Sequence, residues 1–254
     1  RVLNLASNTF NENETSYFHK SIGGYHPAKL RRYQEMIEHY IAPEMQTAMQ
    51  AIANKGGVMS EVDGRKLFPI LNMLNAKYFI VPLQGNATTS IQNPYAQGNG
   101  WFVDKLTYVA DANAEYAGVG KIDVSHEAVA DKKFEPILGQ TQTNDSTARV
   151  VLTKYEPNNM TYTVNSTKGG VVVFSEVYYP GWTATIDGQP AELGRVNYIL
   201  RALNVKAGKH EVVLDFHPTS ISTTETIAYA ALIVLLLAIC VAIYSEKKKQ
   251  KITK

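Results

Sequence analysis

The longest apolar stretch of the chain covers residues 227–244, which are 18 uncharged residues in a row. At a rise of ~1.5 Å per residue, a helix of this length extends over ~27 Å, close to the hydrocarbon thickness of a bilayer. The lysine-rich segment 245–254 follows directly, and such positive flanks stay on the cytoplasmic side. The pattern predicts a transmembrane helix over 227–244, a basic cytoplasmic tail over 245–254, and an extracytoplasmic location for the residues before 226. A buried core helix is the alternative, but core helices rarely lack a polar face for so long.

Between residues 148 and 218 the apolar positions recur with the period of two that short strands show. In the last of these stretches, Val212, Leu214 and Phe216 share one face. Asp187-Gly188 separates two stretches and is a strong signal for a two-residue hairpin turn. Short strands at this spacing predict an antiparallel β-sandwich over 148–218, of jelly-roll or immunoglobulin-like type. The stretches are VVLTKY, MTYTVNS, GVVVFSEVYY, WTATID, NYILRALNV and HEVVLDFH.

The N-terminal part has a more varied pattern. Apolar residues at helical spacing predict a helix over 28–42, which Pro43 is expected to end or kink. A second helix over 44–54 is expected to stop at Gly56-Gly57.

Short helical and extended segments alternate beyond residue 65, and 85–100 is expected to be a loop because it is rich in Gly, Asn, Thr and Ser. We therefore predict a mixed α/β extracytoplasmic region over 1–140, with the polar segment 139–147 as the boundary before the sandwich. The fold class expected for the whole chain is α+β with one C-terminal transmembrane helix.

Composition and charge exclude several classes of protein. The net charge is +2 over 254 residues, and much of the positive excess lies in the tail, so the globular part offers no basic stripe for nucleic acid. The one cysteine, Cys240, lies in the apolar run, which excludes a disulfide or a cysteine-based zinc site in the globular part. Extracytoplasmic domains without disulfides are ordinary in bacterial envelopes. Because the chain starts at Arg1 without a signal peptide, we expect it to be the C-terminal piece of a longer protein.

The candidate binding residues concentrate in segment 17–33, YFHKSIGGYHPAKLRRY. Its glycine pair allows a close approach of the backbone to a ligand, and the helix that starts after Pro27 offers free N–H groups to an anion. Arginine and lysine hold phosphate, and aromatic faces stack on sugar rings. We therefore expect a substrate-binding site here; a loop feeding a helix with a solvated basic face is the alternative. The candidate residues are Tyr25, His26, Lys29, Arg31 and Arg32.

Trp182 is a further candidate for substrate binding. It follows the aromatic segment 178–181 (YYPG) at the edge of the predicted sandwich, where an exposed ring could form a sugar platform. Filling the core between the two sheets is the more frequent role of such a tryptophan.

Familiar catalytic motifs are absent from the sequence. It contains no G-x-S-x-G, no phosphate loop and no dinucleotide fingerprint. Glu35 and His39 have the spacing of two metal ligands on one helix face, but this spacing is common by chance. Carboxylate pairs for glycoside hydrolysis form in space, and nothing in the sequence selects one. We assign no metal and no cofactor, and the catalytic residues stay unknown.

Three stretches together resemble a known family: SYFHKSIGGYHPAKLRRYQEMIEHY, LNMLNAKYFIVP, and EVYYPGWTATIDGQPAELGRVNYILRALNVKAGKHEVVLDFHP running into the last apolar segment. In this set and order, the chain resembles the C-terminal region of the YfhO-like bacterial membrane proteins over nearly its whole length.

The resemblance implies a multi-spanning protein of the bacterial inner membrane, related to the GT-C glycosyltransferases that use a polyprenyl-phosphate-linked sugar on the outer face. In that fold the catalytic acidic residues lie in the first extracytoplasmic loops, upstream of this chain, so none is carried over. The expected role of this portion is to bind or position a polyprenyl-phosphate sugar or an envelope glycan at the bilayer. The alternative is a non-enzymatic, membrane-anchored envelope protein whose β-sandwich binds a glycan or a protein.

Overall fold

A four-stranded antiparallel sheet lies at the centre of the protein. The structure is a computed structural model that describes residues 1–140 and 144–252, without the side chains of Asn86 and of 246–252. Its strands are β4 (Gly100–Phe102), β9 (Gly170–Val177), β12 (Gly194–Val196) and β13 (Leu200–Val205), in the order β12-β13-β9-β4. On β9, Val171 and Val173 pack against the N-terminal region, while Val172 and Phe174 face the opposite way. A sheet that is covered on both faces needs a continuous apolar run rather than an alternating one, and VVVF supplies it.

A five-stranded antiparallel sheet covers one face of this central sheet and completes the predicted sandwich. The core between the two sheets includes Tyr162 and Phe174, whose ring centroids lie 4.8 Å apart, and Val212 and Leu214, as the alternation predicted. The strands in sheet order are β11 (Gln189–Ala191), β10 (Trp182–Ile186), β14 (Gly208–Phe216), β8 (Asn159–Ser166) and β7 (Arg149–Glu156).

The hairpin predicted at Asp187-Gly188 is confirmed. It joins β10 to β11, and Ile186 pairs directly with Gln189 across the turn. Both turn residues have a positive φ, +52° at Asp187 and +77° at Gly188, which is the geometry that matches the twist of the flanking strands.

The N-terminal region covers the other face of the central sheet. Its first sheet has β2 (Tyr78–Pro82) between β1 (Val2–Asn4) and β3 (Thr88–Gln92). The prediction of a loop over 85–100 was therefore wrong for 88–92: β3 pairs antiparallel with β2, and its β-branched residues Thr88, Thr89 and Ile91 favour a strand although the segment around them is rich in Gly and Asn. Two parallel strands, β5 (Lys105–Val109) and β6 (Glu127–Asp131), form a second small sheet joined by the helix α6 (Ala112–Val119).

The remaining helices pack around these sheets. Pro43 does not end the helix as predicted: a π-helical turn, Ile37–Ile41, links α2 (Arg31–Met36) to α3 (Ala42–Asn54) in one continuous helix. The wider π-helical turn lies directly before Pro43, where the ladder of backbone hydrogen bonds lacks the N–H of proline. The helix ends at Asn54, before Gly56-Gly57, as predicted. The helices are α1 (Glu14–Phe18), α2 (Arg31–Met36), α3 (Ala42–Asn54), α4 (Gly64–Leu67), α5 (Pro69–Met73) and α7 (Glu135–Leu138), with 3₁₀ turns at Met59–Glu61, Gln84–Asn86 and Lys132–Phe134.

The C-terminal helix α8 (Thr219–Ile252) carries the apolar run predicted to cross a membrane. Within the described part of the chain, its segment Thr219–Ser245 is the one helix long and apolar enough to do so, and no part of its apolar window is buried against the rest of the protein. The basic tail predicted over 245–254 continues this helix to Ile252, and residues 253–254 lie outside the described residues.

Glu44 connects α3 to α5 and provides a test of the packing. Its two carboxylate oxygens accept the backbone N–H groups of Ile70 (3.0 Å) and Leu71 (2.9 Å) at the start of α5, and burial raises its pKa to about 8. The folded protein therefore holds this proton more tightly than the unfolded chain does, and the free energy of unfolding falls as the pH rises from about 5 to about 8.

We expect Glu44→Gln to flatten this pH dependence by on the order of 2 kcal/mol across the window. The measurement is thermal or chemical unfolding of the full chain in detergent at several pH values. The control, Glu38→Gln, removes an exposed carboxylate of the same continuous helix and should keep the wild-type slope. Equal slopes in Glu44→Gln and wild type would contradict the prediction.

Candidate functional site

A cavity of about 290 Å³ lies between the start of α2 and the segment that follows β9. Arginine and tyrosine dominate its walls, so it combines positive charge with aromatic surface. The lining residues are Leu30, Arg31, Arg32, Tyr33, Val177, Tyr178, Tyr179, Pro180, Arg195, Tyr198 and Ile199.

The floor of the cavity rests on a buried ion pair between Glu115 and Arg195. The Glu115 side chain is 0% exposed, and its Oε2 lies 2.7 Å from Nη2 of Arg195. Its other oxygen, Oε1, accepts the backbone N–H of Tyr198 at 3.1 Å. Burial raises the pKa of Glu115, and the hydrogen bond from Arg195 opposes that rise. A buried carboxylate requires such a partner, because the loss of hydration is not otherwise compensated.

Local sequence explains how Glu115 reaches this position. Asp111 caps α6 by accepting the N–H groups of Asn113 and Ala114, both at 2.9 Å, and so fixes where the helix begins. Glu115 then falls in the first helical turn, where the helix dipole favours a negative charge.

The tight turn between β12 and β13 brings Tyr198 to the same place. Asn197 and Tyr198 both have a positive φ, +49° and +70°. Asparagine tolerates this conformation, and Asn197 is held there by two hydrogen bonds to the backbone of Val129. For a bulky residue such as tyrosine the conformation is strained, and strain of this kind collects at functional sites. In this turn the Tyr198 N–H points to Glu115 and its ring lines the cavity.

The rim of the cavity is tied together by Glu35 of α2. The Tyr198 hydroxyl donates to Glu35 Oε2, and Arg31 donates to Oε1 at 2.9 Å. The hydrogen bond from Tyr198 is the main reason why the pKa of Glu35 is lowered. Arg32 stacks on the face of Tyr198, 4.3 Å from the ring centroid, and its Nη1 lies 3.8 Å from Oε2 of Glu115.

The cavity keeps an excess of positive charge. Three guanidinium groups line it, from Arg31, Arg32 and Arg195, while two carboxylates, Glu35 and Glu115, lie beside them. The buried Nε of Arg195 has no hydrogen-bond partner among the described residues. Burial also raises the pKa of Tyr33 to about 12, so its hydroxyl stays neutral. Guanidinium groups of this kind are suited to an anionic ligand such as a phosphate.

One wall of the cavity is hydrogen-bonded to the segment that directly precedes the apolar helix α8. Residues 178–180 line the cavity, and the next residue, Gly181, accepts the backbone N–H of His217 at 2.9 Å. Gly181 has φ +100°, and an added Cβ would lie 2.9 Å from Pro218. Pro218 directly precedes α8, so the cavity lies beside the point where the chain enters that helix.

The structure brings two of the predicted binding residues, Arg31 and Arg32, into this cavity. Tyr25 is 55% exposed and His26 is exposed, and neither lines the cavity. Lys29 also lies outside it, with its Nζ 5.3 Å from the ring centroid of Phe10.

Trp182 does not line the cavity either, although it follows the cavity wall by two residues. It is half-buried at the edge of the sandwich core and contacts Phe216, with ring centroids 5.2 Å apart. The guanidinium of Arg201 lies 3.7 Å from the centroid of its ring.

Sequence reasoning missed Glu115, Arg195 and Tyr198 as parts of the site. Arg195 and Arg201 are charged residues inside otherwise apolar strands, and that exception to the pattern was the available signal. Glu115 gave none, because one carboxylate in a short polar helix looks like any surface residue.

The described residues contain no group of three or more His, Cys, Asp or Glu side chains placed to hold a metal ion. Asp104 and His126 form a pair, with Oδ2 and Nδ1 2.8 Å apart, beside a separate polar cavity of about 350 Å³.

The ion pair on the cavity floor can be tested by a double-mutant cycle with Glu115→Leu, Arg195→Met and the double variant. We expect each single change to lower the free energy of unfolding by about 3–5 kcal/mol, because it leaves one buried charge without its partner. The double variant should lose less than the sum of the two. Denaturant unfolding of the full chain measures all three.

The matched control for this cycle is the exposed pair of Lys154 and Glu156, with side chains 58% and 56% exposed. Glu156→Leu should change the stability by no more than about 1 kcal/mol. Additive losses in the double variant would show that the buried pair is not coupled.

Comparison with known proteins matches a family model to part of the chain. The family model described as bacterial membrane protein YfhO matches residues 138–228. The matched segment begins at the last residue of α7, ends in the first turns of α8, and includes the cavity residues from Val177 to Ile199. No curated protein and no solved structure matches the chain. The match confirms the predicted resemblance over residues 138–228: in this segment, which leads into the apolar helix α8, the chain is similar to the family of bacterial membrane protein YfhO.

Proposed function

We propose that the chain is the extracytoplasmic C-terminal portion of a multi-spanning, GT-C-like glycosyltransferase of the bacterial inner membrane. Its cavity binds the phosphate-bearing head group of a polyprenyl-phosphate sugar and positions it for modification of an envelope glycan. The observation that supports this most directly is an arginine- and tyrosine-lined cavity beside the residue that precedes α8, in a protein with a YfhO segment.

The chemistry of the walls fits the two parts of such a head group. Arg32 and Arg195 present guanidinium groups, which form paired, charge-assisted hydrogen bonds with phosphate oxygens. Tyr178, Tyr179 and Tyr198 offer aromatic faces and hydroxyls, which suit the apolar faces and hydroxyl groups of a sugar ring.

The distance of the cavity from the bilayer also fits a ligand whose phosphate lies at the membrane surface. Helix α8 begins at Thr219 and its apolar run at Ile227, so about 12 Å of helix separates the base of the domain from the hydrocarbon. The phosphate of a polyprenyl-linked sugar lies at the membrane surface, with the sugar beyond it. A cavity beside Pro218 can therefore receive the head group while the lipid chain stays in the bilayer.

The carboxylates of the site have structural roles in this proposal. Glu115 is paired with Arg195, and Glu35 is held by Arg31 and Tyr198. This portion therefore positions the substrate, and the proton transfer or nucleophilic activation that transfer requires is assigned to residues upstream of it, as the resemblance implies.

The test is binding of a short-chain polyprenyl-phosphate sugar to the full chain in lipid nanodiscs. We expect Arg32→Gln to weaken binding about tenfold or more, because it removes a charge-assisted contact to the phosphate. The matched control is Arg65→Gln, which removes the same charge from an exposed position on α4.

Equal affinity of Arg32→Gln and wild type would remove the cavity as the binding site. Wild-type protein that binds none of a panel of sugars, lipid phosphates and lipid-linked sugars would favour the rival function, a non-enzymatic envelope protein with a protein-binding sandwich.

A further inference from the structure

A cluster of aromatic residues lies where the sandwich meets α8. The ring centroid of Phe216 lies 5.2 Å from that of Trp182 and 6.1 Å from that of Tyr179. Tyr179 is 45% exposed, Pro180 is exposed, and Trp182 and Phe216 are half-buried. We call these four residues the aromatic face.

The aromatic face lies directly beside the start of α8. Phe216 pairs with Trp182 in the register of β14 and β10, and only His217 and Pro218 separate it from Thr219, the first residue of α8. The hydrogen bond from His217 to Gly181 holds the segment with Tyr179 and Pro180 against the same point. The aromatic face therefore stays close to the point where α8 leaves the globular part.

Arg201 supports this face from the interior. It is 4% exposed, its guanidinium lies 3.7 Å from the ring centroid of Trp182, and its Nε donates to the carbonyl of Val177. The burial lowers the pKa of Arg201 to about 10, which still leaves it charged at neutral pH. With one face of its ring against this guanidinium, Trp182 is held in one orientation at the edge of the sheet.

We propose that the aromatic face lies on the lipid headgroups of the membrane that α8 crosses. Tryptophan and tyrosine collect at membrane–water interfaces because each ring has an apolar body and a polar edge. The guanidinium of Arg31 is compatible with an anionic lipid surface: its side chain is 92% exposed, and it lines the cavity that Tyr179 and Pro180 also line. The occupant of this face is thus the headgroup layer itself, continuous with the membrane around α8.

The first turns of α8 set the depth. Residues 219–226 are mostly polar, and the hydroxyls of Ser222, Thr224 and Thr226 donate to carbonyls of the preceding turn, so this stretch stays helical outside the hydrocarbon. It spans about 12 Å, whereas each headgroup layer is about 5–8 Å thick. The start of α8 therefore lies about 4–7 Å beyond the outer edge of that layer, and the aromatic face lies on this outer edge, within the length of a side chain, without entering the hydrocarbon. This places the cavity mouth, which shares Tyr179 and Pro180, at the lipid surface.

The two tryptophans of the chain provide a direct test. In the full chain in nanodiscs, Trp101→Phe leaves Trp182 as the only fluorophore of this type. We expect lipids with a nitroxide on the headgroup to quench Trp182 emission, and lipids with a nitroxide in the middle of the acyl chain to leave it unchanged. The control is Trp182→Phe, in which Trp101, 9% exposed and bonded to the carbonyl of Val124, should not be quenched by either lipid.

Lack of quenching of Trp182 by headgroup nitroxide, or equal quenching of both tryptophans, would overturn the proposal. If Trp101→Phe does not fold, the difference between wild type and Trp182→Phe isolates the same signal. This test is independent of the proposed function, because no sugar or lipid-linked substrate takes part in it. Quenching without substrate binding would support the membrane contact of the aromatic face and contradict only the proposed function. Substrate binding without quenching would contradict only the membrane contact.

Discussion

The double burial of β9 is the constraint on which the rest of the protein depends. Four consecutive residues, 171–174, are fully buried, two facing the sandwich core and two facing the N-terminal region. A strand with both faces covered cannot leave either layer without exposing apolar surface to water, at roughly 25 cal/mol for each Å². The N-terminal region also contributes β4 to the same sheet. The two regions are thus held together by one central sheet, while the domain boundaries at 140 and 148 stay a prediction.

The cavity exists because this packing brings three distant segments together. Arg32 comes from α2, Glu115 from α6, and Arg195 and Tyr198 from β12 of the central sheet and the turn that follows it. Buried guanidinium and carboxylate groups lose their hydration, so each is stable only while the others are in place. The strained backbone at Tyr198 is maintained by the same contacts. An arrangement of this kind is costly for a purely structural core and is well suited to hold an anionic group.

The cavity lies beside the start of the apolar helix α8, which determines its position relative to a bilayer. The apolar window of α8 is not buried against the rest of the described chain, and α8 joins the globular part through the short connection at His217 and Pro218. That connection is hydrogen-bonded to the wall of the cavity and contacts the aromatic face. In the proposed function, a lipid-linked ligand and the protein meet at this point because both are anchored in the same bilayer.

The sequence by itself determined the elements whose signal is local: the apolar helix, the Asp187-Gly188 hairpin, the strand alternation of the sandwich, and the helix that ends before Gly56. Each follows from the period of apolar residues or from the φ that a turn demands. Tertiary structure alone decided that β3 pairs with β2, because the five residues of β3 lie between Gly- and Asn-rich segments and only the neighbouring strand shows which way they pair. It also decided which charges converge. Arg31 and Arg32 were predicted because segment 17–33 is rich in basic and aromatic residues. Glu115 and Arg195 are 80 residues apart, and a buried ion pair between distant residues produces no periodic pattern in the sequence.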